Sequence, residues 1–203
     1  MNGQVYKRWD LLNYLIRKFN YQSYLEIGVQ SGMCFEKIQA KYKVGVDPNE
    51  KHVKFNMTSD DFFAQNQEKF DLIFIDGLHE APQVFKDIVN SVDALNEGGT
   101  IVCHDMLPAN EDAQKVPRIT KIWNGNCWQA FVQLRASRTD LAMCTVNSDH
   151  GLGVIMKGEQ DLINIDDIEL DWHSFGKHRE EWMNIVSYQE FYGLCDTIEK
   201  FRD

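Results

Sequence analysis

The sequence predicts an α/β fold, doubly wound, in which a mostly parallel sheet is covered by helices on both faces. Two observations predict it. Between Ser23 and Asp105, short and nearly continuous apolar runs alternate with segments of helical length five times over. Strands that are apolar on both sides belong to sheets buried on both faces, and these are parallel sheets joined by crossover helices. The runs also end alike, in Glu, Gly, Asp or His, and ligands of doubly wound folds lie beyond the C-terminal ends of the strands.

Taken in order, Trp9, Leu12, Leu15, Ile16 and Phe19 fall at helical spacing and give a leading amphipathic helix. "SYLEIGV" (Ser23 to Val29) is a buried strand ending in glycine, "GMCFEKIQAKY" a helix, and "KVGVDP" a second strand halted by Pro48. "VKFNM" is a third short strand. "TSDDFFAQNQEKF" opens a helix in which Ser59 and Asp60 can cap free backbone N–H groups. "FDLIFID" is the fourth strand, "PQVFKDIVNSVDAL" a helix with Pro82 in its first turn, and "GGTIVCHD" the fifth strand after a Gly-Gly break. Beyond a polar loop (Met106 to Pro117), "ITKIWNGNCWQAFVQLRA" is a helical region interrupted around Gly125. "LAMCTV", the polar turn "NSDHG" and "LGVIMK" form an antiparallel hairpin. The tail is acidic and then helical around "REEWMNIVSYQEFYGLCDTIEKF". Residues 1–157 are expected to form one ligand-binding domain, and 158–203 a helical extension of it that covers the site or makes a homodimer contact.

The chain has 203 residues, 43% of them hydrophobic, enough for one real core. A formal net charge of -10 without any basic block argues against nucleic acid as partner and favours a small molecule. No run of about 18 apolar residues exists, so no membrane span is expected, and the N-terminus has no signal-peptide pattern. Five cysteines without CxxC spacing read as the reduced thiols of a cytoplasmic protein.

The residues with chemistry sit at the strand ends. Glu26, Gly28 and Gly32 close the first, Asp47 the second, Asp76 the fourth, and His104 with Asp105 the fifth. "LEIGVQSG" carries G-x-x-x-G, not the G-x-G-x-x-G of dinucleotide enzymes, so an NAD oxidoreductase ranks last. Asp47 follows Gly28 by 19 positions, where a carboxylate can accept hydrogen bonds from ribose hydroxyls. An adenosine-type ligand follows from that pair.

"YLEIGVQSG", "VGVDP", "FIDGLH" and "GGTIVCHD", in this order, resemble the class I S-adenosylmethionine-dependent methyltransferases. More closely they resemble the bacterial branch whose fourth strand ends in I-D-G-x-H and whose fifth ends in H-D. The resemblance spans roughly Trp9 to Lys157. It implies a seven-stranded sheet with the last strand reversed, and S-adenosyl-L-methionine as methyl donor. It also implies a cofactor turn at Glu26, Gly28 and Gly32, ribose binding by Asp47, and Asp60 near the adenine. That donor is a sulfonium cation without pyrophosphate, so no phosphate-cradling turn is needed.

Adjacent strands lie about 4.8 Å apart, so Asp76 and the His104-Asp105 pair can converge, with His79 leaning over them. Relatives that methylate hydroxyls with a divalent metal put an Asp after the fourth strand and an acid pair or Asp-Asn after the fifth. This chain aligns Asp76 and Asp105 with those ligands but has His104 where an acid may stand. One reading is a cation (Mg, Mn or similar) on Asp76, His104 and Asp105; imidazole suits the softer metals. The other is a metal-free site with His79 or His104 as general base. The expected activity is methyl transfer to a hydroxyl of a small polar or sugar-like metabolite. Two rival readings are a non-catalytic cofactor-binding accessory subunit and a metal-dependent hydroxylase or hydrolase using Asp76, His79, His104 and Asp105. His52, His150, His173 and His178 read as surface residues; Trp123, Trp128, Trp172 and Trp182 as core or lid. "VPR" could carry Arg118 over the site.

Overall fold

The structure is a computed structural model that describes residues 6–49 and 53–199; His52 and the last residues of the tail lie outside them. The elements run α1 (Arg8–Lys18), β1 (Ser23–Ile27), β2 (Tyr42–Val46), α2 (Ser59–Gln65), β3 (Phe70–Ile75), α3 (Ala81–Asp93) and β4 (Leu95–Cys103). There follow α4 (Glu111–Gln114), α5 (Cys127–Ser137), β5 (Leu141–Val146), β6 (Leu152–Lys157), α6 (Trp172–Met183), β7 (Ile185–Val186) and α7 (Tyr188–Glu199). The strands make one seven-stranded sheet in the order β2-β1-β3-β4-β6-β5-β7. β2, β1, β3 and β4 are parallel, and β6 runs antiparallel to both β4 and β5.

Strand periodicity sorts the apolar side chains between two cores. Leu25, Ile27, Ile73, Ile75 and Ile101 face one side, where α3, α5 and α6 pack with Val84, Ile88, Trp128, Phe131 and Trp182. Tyr24, Leu72, Phe74 and Val102 face the other, against Leu11, Leu12 and Leu15 of α1 and Phe191 of α7. A sheet buried on both faces needs strands apolar on both sides, and these central strands supply them.

Four local expectations are corrected. "VKFNM" contributes only one bridge, Phe55 to Val46, because Asn56 Nδ2 turns back to the carbonyls of Asp47 and Pro48. The sheet still has seven strands because Ile185–Val186 of the tail pairs with β5 in parallel. "GMCFEKIQAKY" is no helix beyond a single 3-10 turn at Phe35–Lys37. The carboxamide of Asn13 on α1 takes the Lys37 carbonyl and the Gln39 N–H, diverting backbone groups a helix would need. The region from Ile119 to Asn126 is a loop, and α5 begins only at Cys127. Thr58, one residue earlier than expected, caps α2 through the Asp61 N–H.

The tail is built into both cores. Trp182 on α6 is 1% exposed and stacks on Trp128 with ring centroids 6.2 Å apart; Tyr192 on α7 packs on Tyr14 of α1. Large-to-small truncation of a buried tryptophan costs about 3–5 kcal/mol. Trp182→Ala is therefore expected to lower the unfolding free energy of the whole chain by about that amount, within a single urea transition seen alike by circular dichroism and fluorescence. A separate early transition of the tail would contradict this packing.

Candidate active site at the strand ends

The C-terminal edge of the parallel strands opens into a cavity of about 930 Å³. On one side the chain leaves β1 through Gly28, whose φ is +86° and whose amide donates to the Val46 carbonyl at 2.9 Å. A Cβ there would stand 2.2 Å from the Asp76 carbonyl oxygen, so only glycine fits. Asp47, at the end of β2, accepts the amides of Gln30 and Asn49, both at 2.8 Å. Its carboxylate thereby ties the turns after β1 and β2 together and lines the cavity. Glu26 lines it too, 1% exposed, with the Tyr24 hydroxyl donating to it. Burial, and then the nearby Asp76 charge, push the Glu26 carboxyl up to about 8 against the opposing Tyr24 hydrogen bond. Asp60 reaches the cavity from α2 and accepts from Gln83 and Lys86 at 2.9 and 3.3 Å. Gly32 is not among the residues lining the cavity: its carbonyl accepts the Glu36 amide, ahead of the 3-10 turn that the Lys37 amide closes on the Cys34 carbonyl.

The four residues expected to carry chemistry do meet. His104 Nδ1 lies 3.2 Å from Asp76 Oδ1 and 2.9 Å from Asp105 Oδ2. His79 spans the same pair, Nε2 to Asp76 Oδ1 at 3.4 Å and Nδ1 to Asp105 Oδ2 at 3.3 Å. Neither nitrogen of buried His104 has an aligned hydrogen-bond partner, so its close contacts are ion contacts off the N–H axis. Asn124 Nδ2 holds the other Asp105 oxygen at 2.6 Å, and Asp105 itself sits at φ +64°. Such strained backbone is characteristic of sites whose surroundings over-determine the geometry.

Two charged residues complete the cluster that motif reading did not single out. The Arg8 guanidinium at the start of α1 bonds Asp76, and its Nε lies 3.0 Å from Asp149 Oδ2. Asp149 also accepts the Arg8 backbone amide at 2.9 Å, and its Oδ2 lies 3.8 Å from His104 Nε2. The one sequence sign was the Asp-His-Gly in the hairpin turn "NSDHG", which reads as an ordinary polar turn. His150 is exposed, as expected, and from the surface it lines the cavity and packs edge-on to His104 at 6.0 Å. His79 is held from outside: Trp123 stacks on its ring at 5.2 Å, and Gly125 packs where a Cβ would be 1.8 Å from the His79 carbonyl oxygen.

The electrostatics are mutual. Burial alone would lower both imidazoles, but the carboxylates outweigh it and raise His79, and raise His104 well above its ordinary value. Burial alone would raise Asp76 and Asp149, but the imidazoles and Arg8 outweigh it and hold both below the usual carboxylate range. As for a cation, ligand atoms of Asp76, His79 and Asp105 lie within 4.8 Å of one another. Two carboxylates and an imidazole fit a divalent first-row metal better than magnesium. His79 thus joins the ligand set read from sequence, while His104 Nδ1 also lies within 3.2 Å of both carboxylates. Trp123 and Arg118 line the outer part of the cavity.

Residues 25–106 match a family described as a methyltransferase domain. No curated protein matches the chain. An O-methyltransferase from Bacillus cereus, solved in complex with SAH, superposes with a TM-score of 0.54 at 16% identity, covering 79% of this chain and 84% of that one. The O-methyltransferase TomG from Streptomyces achromogenes, in complex with SAM, gives 0.53 at 15% identity, covering 74% and 79%. A methyltransferase from Podospora anserina, bound to SAH, gives 0.52 at 17%, covering 75% and 78%.

The shifts give a signed pH dependence of stability. The raised imidazoles contribute fully below about pH 6.5 and lose that contribution as pH rises through their folded values. Raised Glu26 acts in the same sense, its contribution fading between the ordinary carboxylate range and about 8. Depressed Asp76 and Asp149 contribute above about pH 4 and lose it on further acidification. The ligand-free melting temperature is therefore expected to peak on the acid side of neutrality. Glu26→Gln should raise it at pH 9 by about 5 °C or more and leave it unchanged at pH 5; parallel melts across pH 4–9 check this.

Proposed function

We propose that this chain, built on the class I S-adenosylmethionine-dependent methyltransferase fold, transfers a methyl group from S-adenosyl-L-methionine to a hydroxyl oxygen of a small acceptor. One observation carries the reading. A glycine turn and a ribose-type carboxylate (Gly28, Asp47) share one cavity with half-buried Asp76 and buried Asp105, which two imidazoles span.

In this reading the nucleoside lies along Gly28 and Asp47, with Asp60 beside the base. The donor sulfonium points toward Asp76 and His79. The acceptor hydroxyl sits at His79, loses its proton to the ring, and its oxygen attacks the methyl carbon as the carbon–sulfur bond breaks. Sulfonium becomes thioether and imidazole becomes imidazolium, so positive charge moves and none is created. Asp76 and Asp105 face that imidazolium from two sides, a preorganised electrostatic arrangement. A divalent cation would be held by Asp76, His79 and Asp105, where it would supply Lewis-acid activation of the hydroxyl. His104 and Arg8 fix the two carboxylates from behind.

Calorimetry with S-adenosylhomocysteine is expected to show one site. Asp47→Ala should weaken it by about a hundredfold, the worth of two hydrogen bonds to a charged group. No heat of binding in the wild type would sink the proposal. His79→Ala should slow S-adenosylhomocysteine formation, assayed over a pooled set of hydroxyl acceptors, by about 10²–10⁴-fold. Since a base works deprotonated and His79 is raised, the wild-type rate should climb with pH above about 6.5. Turnover surviving exhaustive EDTA dialysis would assign the base role to imidazole alone; its loss, restored by manganese, would assign the cation.

A further inference from the structure

The wall of the cavity that the chemistry above does not use is the loop "KVPRITKIW", Lys115 to Trp123. It has a three-residue rhythm: Lys115, Arg118 and Lys121 alternate with Val116, Ile119 and Ile122. From Ala113 to Thr139 there is no acidic residue, in a chain of net charge -10. Lys115 pairs with Asp112 at 2.7 Å, but among the described residues Arg118 and Lys121 form no ion pair, and both line the cavity.

The apolar members are as unusual as the basic ones. Ile122 is 64% exposed, and Leu78, which lines the same cavity, is 52% exposed. Single exposed apolar residues are ordinary. Several at the mouth of one cavity, beside unpaired cations, are the composition of a binding wall. The loop is also braced. Arg118 Nε donates to the Thr120 carbonyl at 2.8 Å, its guanidinium lies over Trp123, and Trp123 Nε1 donates to the Lys115 carbonyl at 2.7 Å. Because Trp123 stacks on His79, this wall runs without a break from the mouth to the acid–imidazole cluster.

We infer that the acceptor carries an acidic group (carboxylate, phosphate or sulfate) on an apolar body. The acid is read by Arg118 and Lys121, the body by Ile122, Leu78 and Trp123. This rests on the transferase reading and replaces the sugar-like acceptor expected from sequence, since a sugar would leave Ile122 and Leu78 facing hydroxyls. A preorganised loop holding two cations loses little order on binding, which favours an anion there.

The test uses two fluorescent probes with the same ring system, with and without S-adenosylhomocysteine present. One is anionic 1-anilinonaphthalene-8-sulfonate and the other neutral N-phenyl-1-naphthylamine. The wild type is expected to bind the sulfonate saturably at one site. Arg118→Gln with Lys121→Gln should weaken it at least about tenfold without weakening the neutral probe. Ile122→Ser should weaken both. Unchanged thermal melts would show that these exposed substitutions leave the fold intact. Sulfonate binding that ignores loss of the two charges overturns the inference. So does co-sedimentation with phosphatidylglycerol vesicles in the absence of free-probe binding, which would make the loop a membrane contact. Calorimetry on the same preparation keeps the two readings apart. Charge-selective probe binding without S-adenosylhomocysteine binding sinks only the transferase, and the converse sinks only the acceptor subsite.

Discussion

The C-terminal edge of this sheet is organised by one requirement, that the carboxylate of Asp76 be compensated. It follows Ile75, 3% exposed, at the end of a strand buried on both faces, and an unpaired buried carboxylate costs several kcal/mol. The strand register fixes where Asp76 stands, so its partners must come to it. His79 comes from the loop after β3, three residues on, and two partners come from other segments, Arg8 from α1 and His104 from the end of β4. Asp105 and Asp149 in turn face those cations. Three carboxylates therefore face three basic side chains, and removing one partner would leave a buried charge exposed to its neighbours.

That pairing shapes the chain far from Asp76. Asp149 accepts both the Arg8 side chain and the Arg8 amide, which anchors the first turn of α1 on the hairpin turn between β5 and β6. To present its carboxylate, the hairpin turn takes positive φ at Asp149, His150 and Gly151. The loop before α5 folds back onto His79, and Gly125 is the residue that allows that approach. The cluster is thus the contact through which the N-terminal helix, the hairpin and the loop before α5 share one site.

The same physics explains what could be read in advance. Central strands buried on both faces announce themselves as apolar runs, and a polar residue that stops such a run lies at its end. Glu26, Asp47, Asp76, His104 and Asp105 were legible for that reason alone. Arg8 and Asp149 were not, because their bond joins residues 141 apart and neither breaks a local pattern. The failed helix after Gly32 has a similar cause. Its composition is helical, but Asn13, from another element, captures the backbone it would use.

Charge along the cavity also bears on how a transfer would be directed. The floor near Gly28 and Asp47 is acidic, the middle is balanced, and the outer wall at Arg118 and Lys121 is basic. A sulfonium donor would be favoured at the acidic end and disfavoured at the basic one, while the anionic acceptor proposed above would have the opposite preference. Under the proposed transfer the two ligands would be sorted by sign before any contact is made, and their reactive atoms would meet at His79, the residue that touches both zones through Asp76 and Trp123. In that proposal a positive charge passed from sulfur to the ring would stay between the same two aspartates, so the surroundings would have little reorganising to do as the methyl moves.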